Sequence, residues 1–304
     1  MKKKFIVISL IVVLMFILAS CGGTNASLDT GSRPANTAGT ESTEENSNDN
    51  VVTDTPTVEE QVIFNQDGIV VTVTGFKQDE GWFSFGPSLS LLIENDSSEG
   101  IMVQARDASI NGIMVDTGMS QDVAIGKKAN TELTFWSSYL EKAGIDNIRD
   151  IEFKLSISNM DTWDTIIKTD VISVTTSIDS SYVQTIDDSG ALVVDQDGVR
   201  IVAKELDDTD SFWGADIYLF IENNSGQDIM VQAREVSING FMISPVFSTD
   251  VINGKVAFSE LTFFESDLEA NSIDRITELE LSFHIVNSDS WDTIFDTDSV
   301  VITF

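Results

Sequence analysis

Along most of the chain apolar residues recur at every second position, the spacing of a strand with one face buried. Ala215 to Glu222 (ADIYLFIE) sets Ile217, Leu219 and Ile221 on one face, and Asn223-Asn224-Ser225-Gly226 ends the run in a turn; Leu89 to Glu94 is the matching run upstream. Leu279 to Val286 and Ile151 to Ile157 alternate likewise, and Ile294-Phe295 with Val300-Val301-Ile302 closes the chain in strand. Two stretches break the alternation. Ile229, Val231 and Ala233 occupy odd positions and Val236 and Ile238 even ones, and the same switch separates Ala105 from Ala108 and Ile110. A period-two strand does this only with an inserted residue or a change of sheet, which the sequence places at Arg234-Glu235 and at Arg106-Asp107. Asn239-Gly240 and Asn111-Gly112 then supply the positive-φ pairs of tight hairpins. Ser138 with Glu141, and Ser266 with Glu269, have the spacing of capping boxes that open short helices.

These features occur in pairs because the chain contains one unit twice. Glu94–Gly112 (ENDSSEGIMVQARDASING) returns as Glu222–Gly240 (ENNSGQDIMVQAREVSING), and the offset of 128 holds without a gap to Thr175 and Thr303. Short strands, Gly and Asn turns and one brief helix per copy predict an all-β chain of two tandem immunoglobulin-like Greek-key β-sandwiches, at 61–177 and 192–304. The Cys…Trp…Cys hallmark of antibody domains is absent. The joining segment 178–191, polar but for Ile178, Tyr182-Val183 and Ile186, predicts two separate folding units with a small interface.

The N-terminus is of another kind. Lys2-Lys3-Lys4 precede an apolar run from Phe5 to Leu18, the layout of a secretory signal over residues 1–20. The run is short of the roughly 20 residues that span a bilayer core. From Gly22 to about Glu60 the chain is Gly, Ser, Thr, Asn and acid with Arg33 as its only base, too polar to offset its ordering entropy. Residues 21–60 are thus expected to form a disordered acidic stalk with a reach of roughly 35 Å.

The formal charge is −33, and more negative once Lys2–Lys4 leave with the signal. Nucleic acid is excluded as a ligand on this ground, and so is docking of the protein body on anionic lipid. Excess acid admits weak divalent-cation binding, since hard oxygen ligands suit calcium. Cys21 is the sole cysteine and His284 the sole histidine, so disulfides and the usual zinc sites are not expected. His284 is matched by Ser156 in the first copy, and no G-x-S-x-G, S-x-x-K, G-x-x-x-x-G-K or G-x-G-x-x-G string is present. Neither enzymatic activity nor a cofactor is expected.

Two candidate sites remain. Asn159-Met160-Asp161-Thr162-Trp163-Asp164 recurs as Asn287-Ser288-Asp289-Ser290-Trp291-Asp292. As structure, the loop is a turn in which Asn and Asp bond their own backbone and the indole caps the core between Leu155 and Ile166, or Phe283 and Ile294. As function, it is a sugar or peptide platform, or a calcium site, although no EF-hand loop is formed. The cap is the expectation. Arg106 and Arg234, each within Val-Gln-Ala-Arg, are the other pair, expected to bond a neighbouring Asp or Glu.

Leu18-Ala19-Ser20-Cys21 closely resembles the lipobox of bacterial lipoproteins, in which the cysteine is diacylated and becomes the mature N-terminus. With the stalk and the repeated Glu-Asn…Asn-Gly pattern, the chain resembles lipoproteins of Gram-positive bacteria that carry immunoglobulin-like repeats. The resemblance implies lipidation at Cys21, a place on the extracellular face of the cytoplasmic membrane and the sandwich fold. The expected role is a binding or adhesion module with a surface protein or carbohydrate partner. The alternatives are a lipid-anchored solute- or carbohydrate-binding protein and an accessory subunit of a surface enzyme or transporter complex.

Overall fold

In β3 (Ser88–Asn95) Leu89, Leu91 and Ile93 all point inward, and the same alternation recurs at Ile151, Phe153, Leu155 and Ile157 and at Leu279, Leu281, Phe283 and Ile285. The computed structural model describes residues 56–78, 85–207 and 214–304. The signal sequence, Cys21 and the stalk to residue 55 lie outside the described residues, as do Trp82 and Trp213. The described part is mostly β, and among its residues no helix is long and apolar enough to cross a membrane.

The first repeat runs β1 (Gln61–Gln66), β2 (Ile69–Lys77), β3, β4 (Ile101–Ile110), β5 (Ile113–Met114), β6 (Thr117–Gly118) and β7 (Ser120–Val123). It continues through β8 (Lys127–Phe135), α1 (Ser137–Lys142), β9 (Asp150–Asn159), β10 (Thr165–Lys168) and β11 (Ile172–Thr175). One sheet has the order β1-β2-β3-β8-β6; in the other, β10-β9-β4-β5, β11 also pairs with β9 and β7 with β4. The inward faces of both sheets meet in one core that includes Ile93, Phe135, Ile110 and Phe153. The second repeat runs β12 (Ala191–Gln196), β13 (Val199–Asp207), β14 (Gly214–Asn223), β15 (Ile229–Ile238), β16 (Phe241–Met242) and β17 (Ser248–Val251). It ends with β18 (Lys255–Phe264), α2 (Glu265–Ala270), β19 (Glu278–Asn287), β20 (Thr293–Asp296) and β21 (Val300–Thr303). Its own core gathers Ile221, Phe263, Leu281 and Phe283.

The predicted breaks are bulges inside unbroken strands. The β4–β9 register shifts between Arg106 and Ser109, with Asp107 at φ 54°, and the β15–β19 register between Arg234 and Ser237, with Glu235 at φ 52°. The repeated asparagines act as clamps. Asn95 is fully buried; its Nδ2 donates to the carbonyls of Glu99 (2.8 Å) and Val123 (2.9 Å), and its Oδ1 accepts from the N–H (3.0 Å) and Oγ (2.6 Å) of Ser97. Asn223 repeats this with Gln227, Val251 and Ser225. Each hairpin asparagine also holds the entry to the next long strand: Asn111 Oδ1 accepts the N–H groups of Arg149 and Asp150, and Asn239 Oδ1 those of Thr277 and Glu278.

The capping boxes are not formed. α1 starts at Ser137 after Trp136 and α2 at Glu265 after Phe264, neither with a side-chain cap bond, so Ser138 and Ser266 lie inside the first turn. In α1 the Ser137 N–H is taken instead by the Phe85 carbonyl at 2.9 Å, so a backbone acceptor does the cap's work.

The polar linker predicts a slight contact between copies, yet they share a sheet and a core. β5 pairs in parallel with β18 at Ile113 and Val256, and the Val256 N–H donates to the Gly112 carbonyl at 3.1 Å, joining strands of both repeats into a ten-stranded sheet. Val202, Phe220 and Val256, on the face of that sheet turned away from their own core, pack into the core of the first repeat with Phe258 against them. Lys154 reaches Asp228 at 3.1 Å, and Lys142–Glu260 and Lys255–Glu152 add two further ion pairs across the junction. Linker residue Gln184 donates to the Gly144 carbonyl and accepts from Asn111, which fixes its course.

Candidate functional site

Each tryptophan loop is built by the asparagine that ends the long strand before it. Asn159 Oδ1 accepts the N–H groups of Asp161 (2.9 Å) and Thr162 (3.0 Å), its carbonyl accepts that of Trp163 (2.9 Å), and its own N–H reaches the Asp164 carbonyl (2.9 Å). Asn287 does the same with Asp289, Ser290, Trp291 and Asp292. Both amide groups are also engaged, Asn159 with Glu99 and Asn287 with Gln227. The asparagines therefore hold the fold, as the structural reading requires.

The tryptophans do not. Trp163 is 69% exposed and Trp291 61%, so the expected core caps stand in solvent. Leu155 and Phe283 are fully buried without them, with Ile167 and Phe295 covering the respective cores from the return strands. Both tryptophans also adopt the left-handed conformation, φ 65° and 64°, which is costly for a bulky residue. Asp161, Asp164, Asp289 and Asp292 are exposed beside them. Among the described residues no group of three or more His, Cys, Asp or Glu is placed to hold a metal ion.

The arginines are also placed differently from expectation. Arg106 donates to Gln104 Oε1 at 2.7 Å and Arg234 to Gln232 Oε1 at 3.2 Å, neutral acceptors two residues back on the same strand. The neighbouring acid Asp107 pairs instead with Lys154, which reaches it from β9 at 3.0 Å. Burial pulls the Lys154 amine down, but Asp107 and Asp228 outweigh it and hold its pKa above the usual value.

Of this pair, Arg106 lines a cavity. A cleft of about 610 Å³ lies where the repeats meet, with Arg106, Asp116 and Tyr139 on one side and Tyr218, Phe247 and Asp250 on the other. Tyr139 is pushed up to about 12 by burial and by its bond to Asp116. Asp250 is raised to about 6, first because its carboxyl sinks partly against the wall, although much of the residue stays open to solvent, and then by the charges of Asp107 and Asp289. Asp289 belongs to the second tryptophan loop, and Lys168 of the first repeat lies 3.9 Å from it, so that loop sits at the junction.

Sequence reasoning missed Tyr139, Tyr218 and Asp250, because the cleft joins elements far apart in the chain. One signal was present. Tyr139, Lys142 and Tyr218 stand where the other copy has Asp267, Ala270 and Ser90, so part of the lining falls where the copies differ. His284, outside the cleft, is held by Asp296 at 2.5 Å. Compared with known proteins, the chain matches no family model and no curated sequence.

Proposed function

We propose that this chain is a non-catalytic binding module of the cell surface. Lipid on Cys21 anchors it to the extracellular face of the cytoplasmic membrane, and the acidic stretch to residue 60 spaces it from the bilayer. Two immunoglobulin-like sandwiches then present Trp163 and Trp291 to a surface protein or carbohydrate. The strand order in each repeat, passing back and forth between two facing sheets, supports the sandwich reading.

The observation that carries the proposal is the pair of exposed, left-handed tryptophans. Neither burial nor backbone preference accounts for tryptophan there, since glycine or asparagine holds the same turn with less strain. An open indole face beside carboxylates suits recognition, where tryptophan is enriched among the residues that dominate binding. Binding of the purified chain to isolated cell envelopes tests it. Trp163→Ala with Trp291→Ala is expected to weaken the isotherm at least about thirtyfold, the loss of one dominant contact of about 2 kcal/mol. An unchanged isotherm removes the indoles from the site. In the native host a palmitate analogue is expected to label the chain and to miss Cys21→Ser; labelling of the serine variant ends the anchor reading.

A further inference from the structure

Among the charged groups lining the cleft between the repeats, Arg106 makes no ion pair with a described residue, and neither do several of the carboxylates, Asp250 among them. On the first repeat, Arg106 spends one donor on Gln104 and makes no ion pair among the described residues, so most of its five N–H groups are available. On the second, Asp250 takes no hydrogen bond or ion pair from a described residue, and its electrostatic neighbours Asp107 and Asp289 are acids, which favours a positive charge beside it. The nearby lysines are committed: Lys142 to Glu260, Lys204 to Asp187, and Lys154 to Asp107 and Asp228. Glu205 adds another carboxylate to the second repeat's wall, and the rings of Tyr139, Tyr218 and Phe247 lie in the same lining.

In a chain of net charge −33 the long-range field disfavours the approach of a simple anion. A carboxylate whose molecule also carries a cation meets less of that field and can answer both Arg106 and the unpaired acids. The volume, about 610 Å³, is in the range that encloses drug-sized ligands and is more than one amino acid fills. We propose that the cleft binds short peptides with both termini free, the terminal carboxylate on Arg106, the terminal ammonium at Asp250 and the chain between them against the tyrosine rings. This goes beyond the envelope-binding surface and does not depend on the exposed indoles.

Equilibrium dialysis of the full chain against a mixed tripeptide pool tests it, with retained peptide measured by mass spectrometry beside the same pool N-acetylated or C-amidated. The free pool is expected to be retained, and each block to lower retention about tenfold or more, as loss of a charge-assisted contact does. Arg106→Gln is expected to abolish the preference for a free carboxylate and Asp250→Asn that for a free amine. Arg234→Gln, with the same local partners but outside the cleft, is expected to change nothing, and the Trp163→Ala, Trp291→Ala chain to retain the pool fully. Equal retention of free and blocked pools, no retention of the free pool, or a loss with Arg234→Gln matching that with Arg106→Gln overturns the proposal.

Discussion

Replacing Phe220 by alanine tests the union of the two repeats. Phe220 is 2% exposed, yet it lies on the side of β14 opposite Leu219 and Ile221, which fill its own repeat's core. Its burial comes from the first repeat, whose core it joins with Val202 and Val256, 1% and 8% exposed. The ring also meets Phe258 edge-on at 5.5 Å and lies 5.6 Å from the Arg200 guanidinium. Truncating a buried phenylalanine costs about 3 to 5 kcal/mol. At about 2 to 4 °C per kcal/mol for a body of this size, the melting temperature is expected to fall by about 6 to 20 °C. Leu92, the counterpart of Phe220 in β3, is only half-buried, and Leu92→Ala is expected to shift the transition by a small fraction of that. Scanning calorimetry is expected to give one endotherm for the parent and two for Phe220→Ala, as the repeats uncouple. Equal shifts for Phe220→Ala and Leu92→Ala, or an undisturbed single endotherm in Phe220→Ala, refute the shared core.

Asn223→Ala orphans the buried Val251 carbonyl, at about 1 to 3 kcal/mol, while water can replace the amide at the more open Gln227 carbonyl, so urea unfolding is expected to show a loss of about 1 to 3 kcal/mol. Asp250 holds its proton to a higher pH folded than unfolded, so its ionisation destabilises the fold as pH rises from about 4 to 6. Asp250→Asn is therefore expected to raise the melting temperature at pH 7 and to leave it unchanged near pH 3.5; a gain at both values assigns the effect to something other than charge. Trp163→Gly and Trp291→Gly relieve positive φ and uncover no core, so each is expected to hold or raise the melting temperature, with iodide quenching lost in proportion; a drop of several degrees restores the core-cap reading.

The sheets were legible because period-two alternation is a local property, and the bulges because a switch of face within Ile229–Ile238 has few local solutions. The tryptophans were misread because a turn's hydrogen bonds are written in its own residues, whereas the direction of the indole depends on whether Ile167 and Phe295 already close the core. The union of the repeats was visible in one place. β13 carries Val199, Ile201, Val202 and Ala203 without alternation, and Phe220, Val256 and Phe258 replace Leu92, Lys128 and Asn130 of the first copy. Apolar residues on both faces mark a sheet covered on both sides, and the polar linker says nothing about what covers it.

That covering sheet is also why the two copies contribute unlike surfaces to the cleft. The contact is heterologous: the β5 edge of the first repeat meets the β18 edge of the second, so each repeat uses a different part of the same surface. The counterpart of β5 in the second repeat, β16, leaves Phe241 and Met242 48% and 69% exposed, while Ile113 in the first is fully buried. Arg106 and Arg234 share a bulge, a glutamine partner and a sequence context, yet of the two it is Arg106 that lines the cleft at the junction, in whose wall Asp250 of the second repeat also lies. What distinguishes the two arginines is position in the assembly and not chemistry. A variant that uncouples the repeats without touching either charge, such as Phe220→Ala, is accordingly expected to lose peptide retention along with Arg106→Gln, while envelope binding through the indoles persists.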